Sequence, residues 1–306
     1  MLIFIGSLAL LLIAARVFTS AAERIGLALG MSPFAVGVVI VGVGTSLPEL
    51  VSGLISVHQG ASEIVSGNVL GANVANLLLI LGVSTLFSVV RPVFLGEGYI
   101  AIDLHFLVGS AFMLGVVMSD GHVGALEGMF LLLAYAVYLV YLLREGPGGD
   151  AAASATAKIA ARDLGLIAAA GLGIYFSADW TVTSLQGLAQ TLGISNAIIA
   201  VTVLALGTTL PELAVSISAA RAGKASLAVG NILGSCIFNG LVVTGATSLL
   251  GSIAVPVELT TFTLPFFVAV ALFFYLLVQD RRISNWEGAL FVVVYGLFIA
   301  KTGGLG

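Results

Sequence analysis

The chain contains the stretch Gly44-Thr45-Ser46-Leu47-Pro48-Glu49-Leu50 and, 163 residues later, the near copy Gly207-Thr208-Thr209-Leu210-Pro211-Glu212-Leu213. A second pair with the same separation is Gly67-Asn68-Val69-Leu70-Gly71 and Gly230-Asn231-Ile232-Leu233-Gly234. An ungapped alignment of residues 30–77 with 193–240 has 15 identities in 48 pairs, and they cluster in these two motifs. General hydrophobicity would not concentrate identities in this way, so the pattern indicates an internal duplication.

The composition of the chain is that of a membrane protein. Of 306 residues, 59% are hydrophobic and 8% are charged, and the mean hydropathy is +1.18, outside the range of a water-soluble domain of this length. A helix that crosses a bilayer needs about 20 mostly apolar residues. Runs of this kind predict ten spans, at residues 2–22, 33–57, 64–90, 100–118, 124–144, 163–185, 194–220, 226–250, 258–279 and 285–302.

The predicted spans give the duplication an orientation. Five spans separate each helix of the first half from its counterpart in the second half, and because five is odd, counterparts cross the membrane in opposite directions. Inverted repeats that meet near the middle of the bilayer are typical of secondary transporters. We therefore predict an all-α polytopic membrane protein of ten transmembrane helices in two inverted five-helix repeats, residues 1–144 and 163–306, joined by a cytoplasmic linker at 145–162.

Basic residues are distributed unevenly between the predicted spans. When alternate loops are assigned to alternate sides, one side holds only Lys301, and the other side holds Arg24, Arg91, Arg144, Lys158, Arg162, Arg221, Lys224, Arg281 and Arg282. Loops rich in Lys and Arg stay on the cytoplasmic side. This distribution predicts an integral protein of the cell membrane with both termini outside.

Two glutamates, Glu49 and Glu212, fall near the middle of the second and seventh predicted spans. An ionised carboxylate that faced lipid there would be strongly destabilising, so both must face a polar interior. Each follows a proline, which removes a backbone donor and frees the carbonyl four residues back, at Gly44 and Gly207. Within one turn of the glutamates the two motifs also offer hydroxyls, those of Thr45, Ser46, Thr208 and Thr209.

Every group that these kinks offer is an oxygen, which favours a hard cation. Calcium takes six to eight oxygen ligands at about 2.3–2.6 Å and accepts carboxylates, carbonyls, hydroxyls and amides in irregular geometry. Two glutamates would balance its charge, and sodium can use the same carbonyl and hydroxyl oxygens. The pattern thus predicts a site at which Na⁺ and Ca²⁺ compete. No cluster of His or Cys in the sequence supports a softer metal.

The third and eighth predicted spans add amide side chains at steps of four residues, which place them on one helix face. Asn76 and Asn239 are predicted to offer amide oxygens to the ion. Amides inside a membrane protein also join helices by hydrogen bonds. Asn68 and Asn231 fit either role, ligand or link between helices.

Two copies of G-T-[ST]-L-P-E-L, each followed by G-N-x-L-G, resemble the paired alpha repeats of the cation/calcium exchanger superfamily, particularly those of prokaryotic sodium/calcium exchangers. The resemblance covers essentially the full chain. It implies a central cation site on the two glutamates, flanking sodium sites, and first and sixth helices that slide during alternating access. By matching position it assigns ion binding to the side chains of Glu49, Glu212, Thr45, Ser46, Thr208, Thr209, Asn76, Ser235 and Asn239 and to the carbonyls of Gly42 and Ala205.

The chain departs from the family pattern at two positions. Ala72 stands where the family commonly has serine, which removes a hydroxyl from one flanking site, and Asn239 stands where some members carry aspartate. The number of sodium ions per cycle and the charge balance therefore stay open at this stage. Because two nearby buried carboxylates can also take up protons, coupling to H⁺ stays open as well.

These features predict a secondary active transporter, not an enzyme, that exchanges Na⁺ for Ca²⁺ by alternating access at a two-glutamate site near the membrane midplane. The alternatives are a proton-coupled antiporter for Ca²⁺ or another cation and, more distantly, a calcium channel, which the inverted duplication disfavours. Neither paired aspartates in suitable motifs nor H-E-x-x-H supports an intramembrane enzyme. The expected partners are the transported ions and the lipid bilayer, with no cofactor, nucleic acid or obligatory protein partner.

Overall fold

The structure is a computed structural model and describes residues 2–90, 92–94, 103–145, 159–191 and 205–302. Within these residues, the first half of the chain forms five helical segments: α1 (Leu2–Ala28), α2 (Pro33–His58), α3 (Glu63–Phe87), α4 (Leu104–Val117) and α5 (Ala125–Glu145). The described part of the second half forms five more: α6 (Ala161–Thr191), α7 (Ala205–Arg221), α8 (Ala225–Ser248), α9 (Leu259–Asp280) and α10 (Asn285–Thr302).

Seven of the described helices are long and apolar enough to cross a membrane by length and composition, namely α1, α2, α3, α5, α6, α8 and α9. Helix α4 is apolar but has 14 residues. The described part of helix α7 starts at Ala205, and the first part of the span predicted at 194–220 lies outside the described residues. The predicted class, a polytopic helical membrane protein, is confirmed, whereas a total of ten crossing helices stays a prediction.

Helix α1 continues past residue 22, where its predicted span ended, to Ala28. The additional turns carry Glu23 and Arg24, whose charges ended the apolar run. Glu23 pairs with Lys224 at the start of α8, and Nη2 of Arg24 lies 2.7 Å from Oδ1 of Asp163 in α6. The helix therefore continues because these charges find partners within the protein.

Helices α1 and α6 pack side by side and run in opposite directions. Beyond the ion pair just described, a Cβ on Gly173 would lie 3.3 Å from Cβ of Ala14. Farther along, the Thr181 hydroxyl donates to Oγ of Ser7 at 2.9 Å. Residue numbers thus fall in one helix as they rise in the other, which is the orientation expected for the first pair of counterparts in an inverted duplication.

In the described part of the chain, two short antiparallel strand pairings connect the halves. Strand β1 (Val93–Phe94) pairs with β4 (Arg282–Ile283), and β2 (His122–Val123) pairs with β3 (Ile253–Ala254). β1 and β3 follow the third helix of their half, whereas β2 and β4 precede the fifth. Each pairing therefore joins the connection after the third helix of one half to the connection before the fifth helix of the other half. A two-fold arrangement of the halves requires this pattern.

Two close helix contacts also pair the third helix of one half with the fifth helix of the other half. A Cβ on Gly82 of α3 would lie 2.7 Å from the carbonyl oxygen of Gly288 in α10, and a Cβ on Gly128 of α5 would lie 2.7 Å from that of Gly245 in α8. Helices α3 and α8 are the most enclosed of the seven apolar helices. They form the centre of the bundle, and each is packed against the fifth helix of the other half.

Helices α2 and α8 approach each other at the level of their backbones. A Cβ on Gly42 would lie 3.0 Å from the carbonyl oxygen of Asn231, and a Cβ on Gly234 would lie 2.6 Å from that of Val38. Small residues permit such approaches between helices in a membrane. The second glycine of the G-N-x-L-G motif thus has a geometric role, because it lets α2 place its carbonyls directly against α8.

We predict that Gly234→Ala destabilises the protein by roughly 1–3 kcal/mol, the usual cost of overpacking. The added methyl would overlap the backbone of Val38, which cannot move without separating α2 from α8. Thermal unfolding of the purified protein in detergent measures the effect. Gly109→Ala is the matched control, since Gly109 is exposed in α4 with no atom within 4 Å of the new Cβ. Equal melting temperatures for the two variants would contradict this packing.

Candidate cation site

Two helices with an internal proline carry glutamates into the centre of the bundle. Pro48 lies within α2 and Pro211 within α7, and the glutamates that follow them, Glu49 and Glu212, are 3% and 1% exposed. The two carboxylates are close enough to interact electrostatically. Among the described residues no Lys, Arg or His side chain is buried. Within the described part of the chain, the two glutamates therefore share the interior without a cationic side chain buried beside them.

Hydroxyls of one half serve the glutamate of the other half. The Ser46 hydroxyl donates to Oε1 of Glu212 at 3.3 Å, and the Thr45 hydroxyl also faces that carboxylate. Both hydroxyls belong to α2, whereas Glu212 belongs to α7. The site is consequently formed between the two halves.

Three neutral oxygens form a nearly equilateral triangle beside the carboxylates. Oγ1 of Thr45 lies 3.3 Å from the carbonyl oxygen of Gly42 and 3.4 Å from Oγ of Ser235, and Oγ of Ser235 lies 3.3 Å from the Gly42 carbonyl. A cation can touch all three at about 2.4 Å, within the range of calcium–oxygen distances, from just outside the plane of the triangle. We call this group the Thr45–Ser235 triangle.

Several buried polar atoms have no hydrogen-bond partner among the described residues. Those near the glutamates are both carboxylate oxygens of Glu49, Oε2 of Glu212 and the amide oxygens and nitrogens of Asn76 and Asn239; Oδ1 of Asn73, Oγ of Ser84 and Oδ1 of Asn285 are the others. Leaving such groups unsatisfied in the interior is strongly unfavourable. Carboxylate and amide oxygens in this number fit a hard cation such as Ca²⁺ or Na⁺.

Asn76 and Asn239 each begin a short π-helical segment, Asn76–Ile80 in α3 and Asn239–Val243 in α8. A third such segment, Gly37–Gly42, ends at the carbonyl that forms one corner of the triangle. Segments of this kind are frequent at functional sites. They re-aim side chains and carbonyls within a helix that otherwise continues.

The structure brings most of the predicted ligands to this region. Helix α2 contributes Gly42, Thr45, Ser46 and Glu49; α7 contributes Thr209 and Glu212; α3 and α8 contribute Asn76, Ser235 and Asn239. The side chains of Ala205 and Thr208 lie outside the described residues. Ion binding by each of these residues stays a prediction.

The sequence left two roles open for Asn231, and in the structure its side chain forms hydrogen bonds between helices. Its Nδ2 donates to Oγ of Ser216 at 2.8 Å and to the carbonyl of Glu212 at 3.4 Å, and its Oδ1 accepts from Thr45 at 3.2 Å. Asn231 therefore links α7, α8 and α2 and orients the Thr45 hydroxyl.

One contact between the halves was not predicted from the sequence. Nδ2 of Asn73 donates to the carbonyl of Cys236 at 3.2 Å, and Sγ of Cys236 donates to the carbonyl of Asn73 at 3.9 Å. The two residues are counterparts under the shift of 163. Because they differ in type, only that alignment, and no shared motif, could have signalled the contact.

The chain resembles known proteins over almost its full length. The model of the family described as "Sodium/calcium exchanger protein" matches residues 1–144 and 163–302. The chain belongs to the sodium/calcium exchanger family. The resemblance carried by the two glutamate motifs is thereby confirmed.

Relatives of this exchanger match it over most of their length. "Sodium/calcium exchanger MaX1" of Methanosarcina acetivorans is 29% identical over 92% of each chain. "Inner membrane protein YrbG" of Escherichia coli is 32% identical over 72% of this chain and 70% of its own. The solved structure of the sodium-calcium exchanger NCX_Mj, soaked without Na⁺ and Ca²⁺, has a TM-score of 0.83 at 27% identity and covers 97% of both chains.

We predict that Ca²⁺ raises the thermal stability of this exchanger, since a ligand at 100 times its Kd adds about 2.7 kcal/mol to the free energy of unfolding. Glu49→Gln and Glu212→Gln should lose most of the shift, because each removes half of the negative charge. Glu63→Gln, an exposed position at the start of α3, is the matched control and should keep it. A full Ca²⁺-dependent shift in both central variants would contradict binding at the glutamates.

Proposed function

We propose that this exchanger moves Na⁺ and Ca²⁺ in opposite directions across the cell membrane, at a site between Glu49 and Glu212 near the membrane midplane, with one face open at a time. The observation that carries the proposal is the pair of buried carboxylates with no buried protein cation among the described residues. The names of MaX1 and NCX_Mj support the choice of ions, and NCX_Mj structures soaked with Na⁺ together with Ca²⁺ or Sr²⁺ share the fold.

The charge of the site provides the coupling. Two ionised carboxylates buried together repel each other, and burial removes the water that would screen them. A bound cation cancels this repulsion, whereas the repulsion persists when the site is empty. The transporter therefore switches readily between its two open conformations only when cations are bound. One ion must leave before the other is carried back.

The access route borders the triangle. A crevice between α1, α2, α6 and α7 is lined by Phe18, Thr45, Pro48, Tyr175 and Pro211, among others. Helices α1 and α6 pack against each other through small residues such as Ala14 and Gly173. We propose that these two helices move as a unit and thereby expose the site to one face or the other.

The proposed topology has ten crossings in two inverted repeats, at 1–144 and 163–306, with both termini outside and the linker 145–162 in the cytoplasm. Ion pairs of Lys224 with Glu23 and of Arg24 with Asp163 gather the basic loops at one end of the bundle. The pairing of β1 with β4 holds Arg282 beside the connection after α3. These contacts support placing the basic loops on one side.

The test is ⁴⁵Ca²⁺ uptake by proteoliposomes that are loaded with Na⁺ and diluted into Na⁺-free buffer. We predict uptake that requires the outward Na⁺ gradient and is abolished in Glu49→Gln and Glu212→Gln, with Glu63→Gln as the active control. The charge-neutral replacements keep side-chain volume, so loss of transport reports the carboxylate itself.

Three outcomes would contradict the proposal in different ways. Uptake driven only by a pH gradient would make the protein a proton-coupled antiporter. Uptake that needs no counter-ion would make it a channel. Retained Na⁺-driven uptake in either glutamine variant would mean that the replaced glutamate is not part of the site.

A further inference from the structure

An ion pair joins α1 to the central helices at the end of the bundle that the proposed topology places in the cytoplasm. Nζ of Lys224 contacts Oε2 of Glu23. The two side chains are 27% and 24% exposed, so water and salt screen this pair less than they screen a fully exposed one. Phe18, which lines the crevice beside the site, lies about 7.5 Å from Glu23 along α1. The pair is therefore positioned between the crevice and the cytoplasmic end of the bundle.

The central helices hold Lys224 in place. It ends a tight turn between α7 and α8, in which Gly223 has a φ of 78° and the N–H of Lys224 donates to the carbonyl of Ala219 at 2.9 Å. The end of α7 is also joined to the end of α3, because the N–H of Val89 donates to the carbonyl of Ala220 at 3.4 Å. Lys224 thus belongs to the group of α3, α7 and α8 and not to α1.

A second ion pair at the same end joins different partners. Nη2 of Arg24 lies 2.7 Å from Oδ1 of Asp163, so this pair connects α1 with α6. In the proposed movement α1 and α6 travel together past the central helices. The movement therefore leaves the pair of Arg24 with Asp163 intact, whereas it separates Glu23 from Lys224.

The inverted duplication has no copy of the pair of Glu23 with Lys224. The shift of 163 aligns Glu23 with Gln186 and Lys224 with Ala61. An amide and a methyl group cannot form an ion pair. In a perfectly inverted duplication the conformations open to the two faces would be equivalent. An ion pair that has no counterpart at the opposite end makes the free energies of the two conformations unequal.

We propose that the pair of Glu23 with Lys224 is a latch that keeps the cytoplasmic face closed and thereby favours the conformation open to the outside. This inference rests on the proposed exchange and on the joint movement of α1 and α6. Breaking the latch increases the population of the conformation open to the cytoplasm. A partly exposed ion pair shifts such an equilibrium by roughly threefold. Because the apparent affinity for an ion scales with the fraction of protein that can bind it, the latch weakens Ca²⁺ binding from the cytoplasmic face.

The test is the Ca²⁺ concentration that half-saturates Na⁺-driven ⁴⁵Ca²⁺ uptake into inside-out membrane vesicles, in which the full-length protein presents its cytoplasmic face to the medium. Glu23→Gln and Lys224→Gln should each lower this concentration by about threefold. The double variant should show the same threefold change, since either single replacement removes the whole pair. In right-side-out vesicles the half-saturating concentration should not fall in any of the three variants.

Arg24→Gln is the matched control. It removes a neighbouring charge at the same end of α1 and breaks the ion pair with Asp163, which joins the two helices that move together. The half-saturating Ca²⁺ concentration should therefore keep its natural value on both faces. A fall in Arg24→Gln as large as that in Glu23→Gln would show a general effect of charge at this end and would overturn the latch.

The outcomes separate the latch from the exchange on which it rests. If the natural protein shows no Na⁺-driven uptake in vesicles of either orientation, the proposed exchange itself is wrong. If it does, but Glu23→Gln leaves the half-saturating concentration unchanged or the changes in the double variant add, the exchange stands and the latch is wrong. Loss of uptake in both single variants would also overturn the latch, because a latch is not required for transport. Equal falls in the single and double variants, with none in Arg24→Gln, support both.

Discussion

The rest of the structure depends on one constraint, two carboxylates buried together with no buried cationic side chain in the described part of the chain. Glu49 and Glu212 lie in a bundle whose outer surface faces lipid, and no Lys, Arg or His among the described residues is buried to balance them. The interior is stable only if something else provides positive charge. In the proposed mechanism the transported ion does so, and for that reason binding and movement are coupled.

The geometry that makes such a site possible comes from backbone contacts rather than from the acidic residues themselves. Helices α2 and α8 touch at Gly42 and Gly234, where any side chain would force them apart. This approach brings the Gly42 carbonyl to the Ser235 hydroxyl, while Ser46 reaches across to Glu212. Each half supplies oxygens that the other half uses. A single five-helix unit could not form the site, which gives the duplication a physical purpose.

The sequence was sufficient for the class of fold and for the residues at its centre, because both depend on strong local signals. Apolar runs identify membrane helices, and a repeated proline–glutamate pair inside them has few explanations. The course of α1 beyond residue 22 could not be predicted, since Glu23 and Arg24 find partners distant in sequence. The π-helical turns at Asn76 and Asn239 depend on tertiary packing and have no local pattern. The contact of Asn73 with Cys236 joins unlike residues, so no motif marked it.

The central claim is that Glu49 and Glu212 bind one divalent cation between them. Anomalous scattering from crystals soaked in Sr²⁺ tests it most directly, because Sr²⁺ stands in for Ca²⁺ and its position can be read without a model of the ligands. The account predicts one strong peak within bonding distance of both carboxylates, displaced when the soak also contains high Na⁺. A peak bound by only one of the two glutamates, or one that Na⁺ leaves in place, would contradict it.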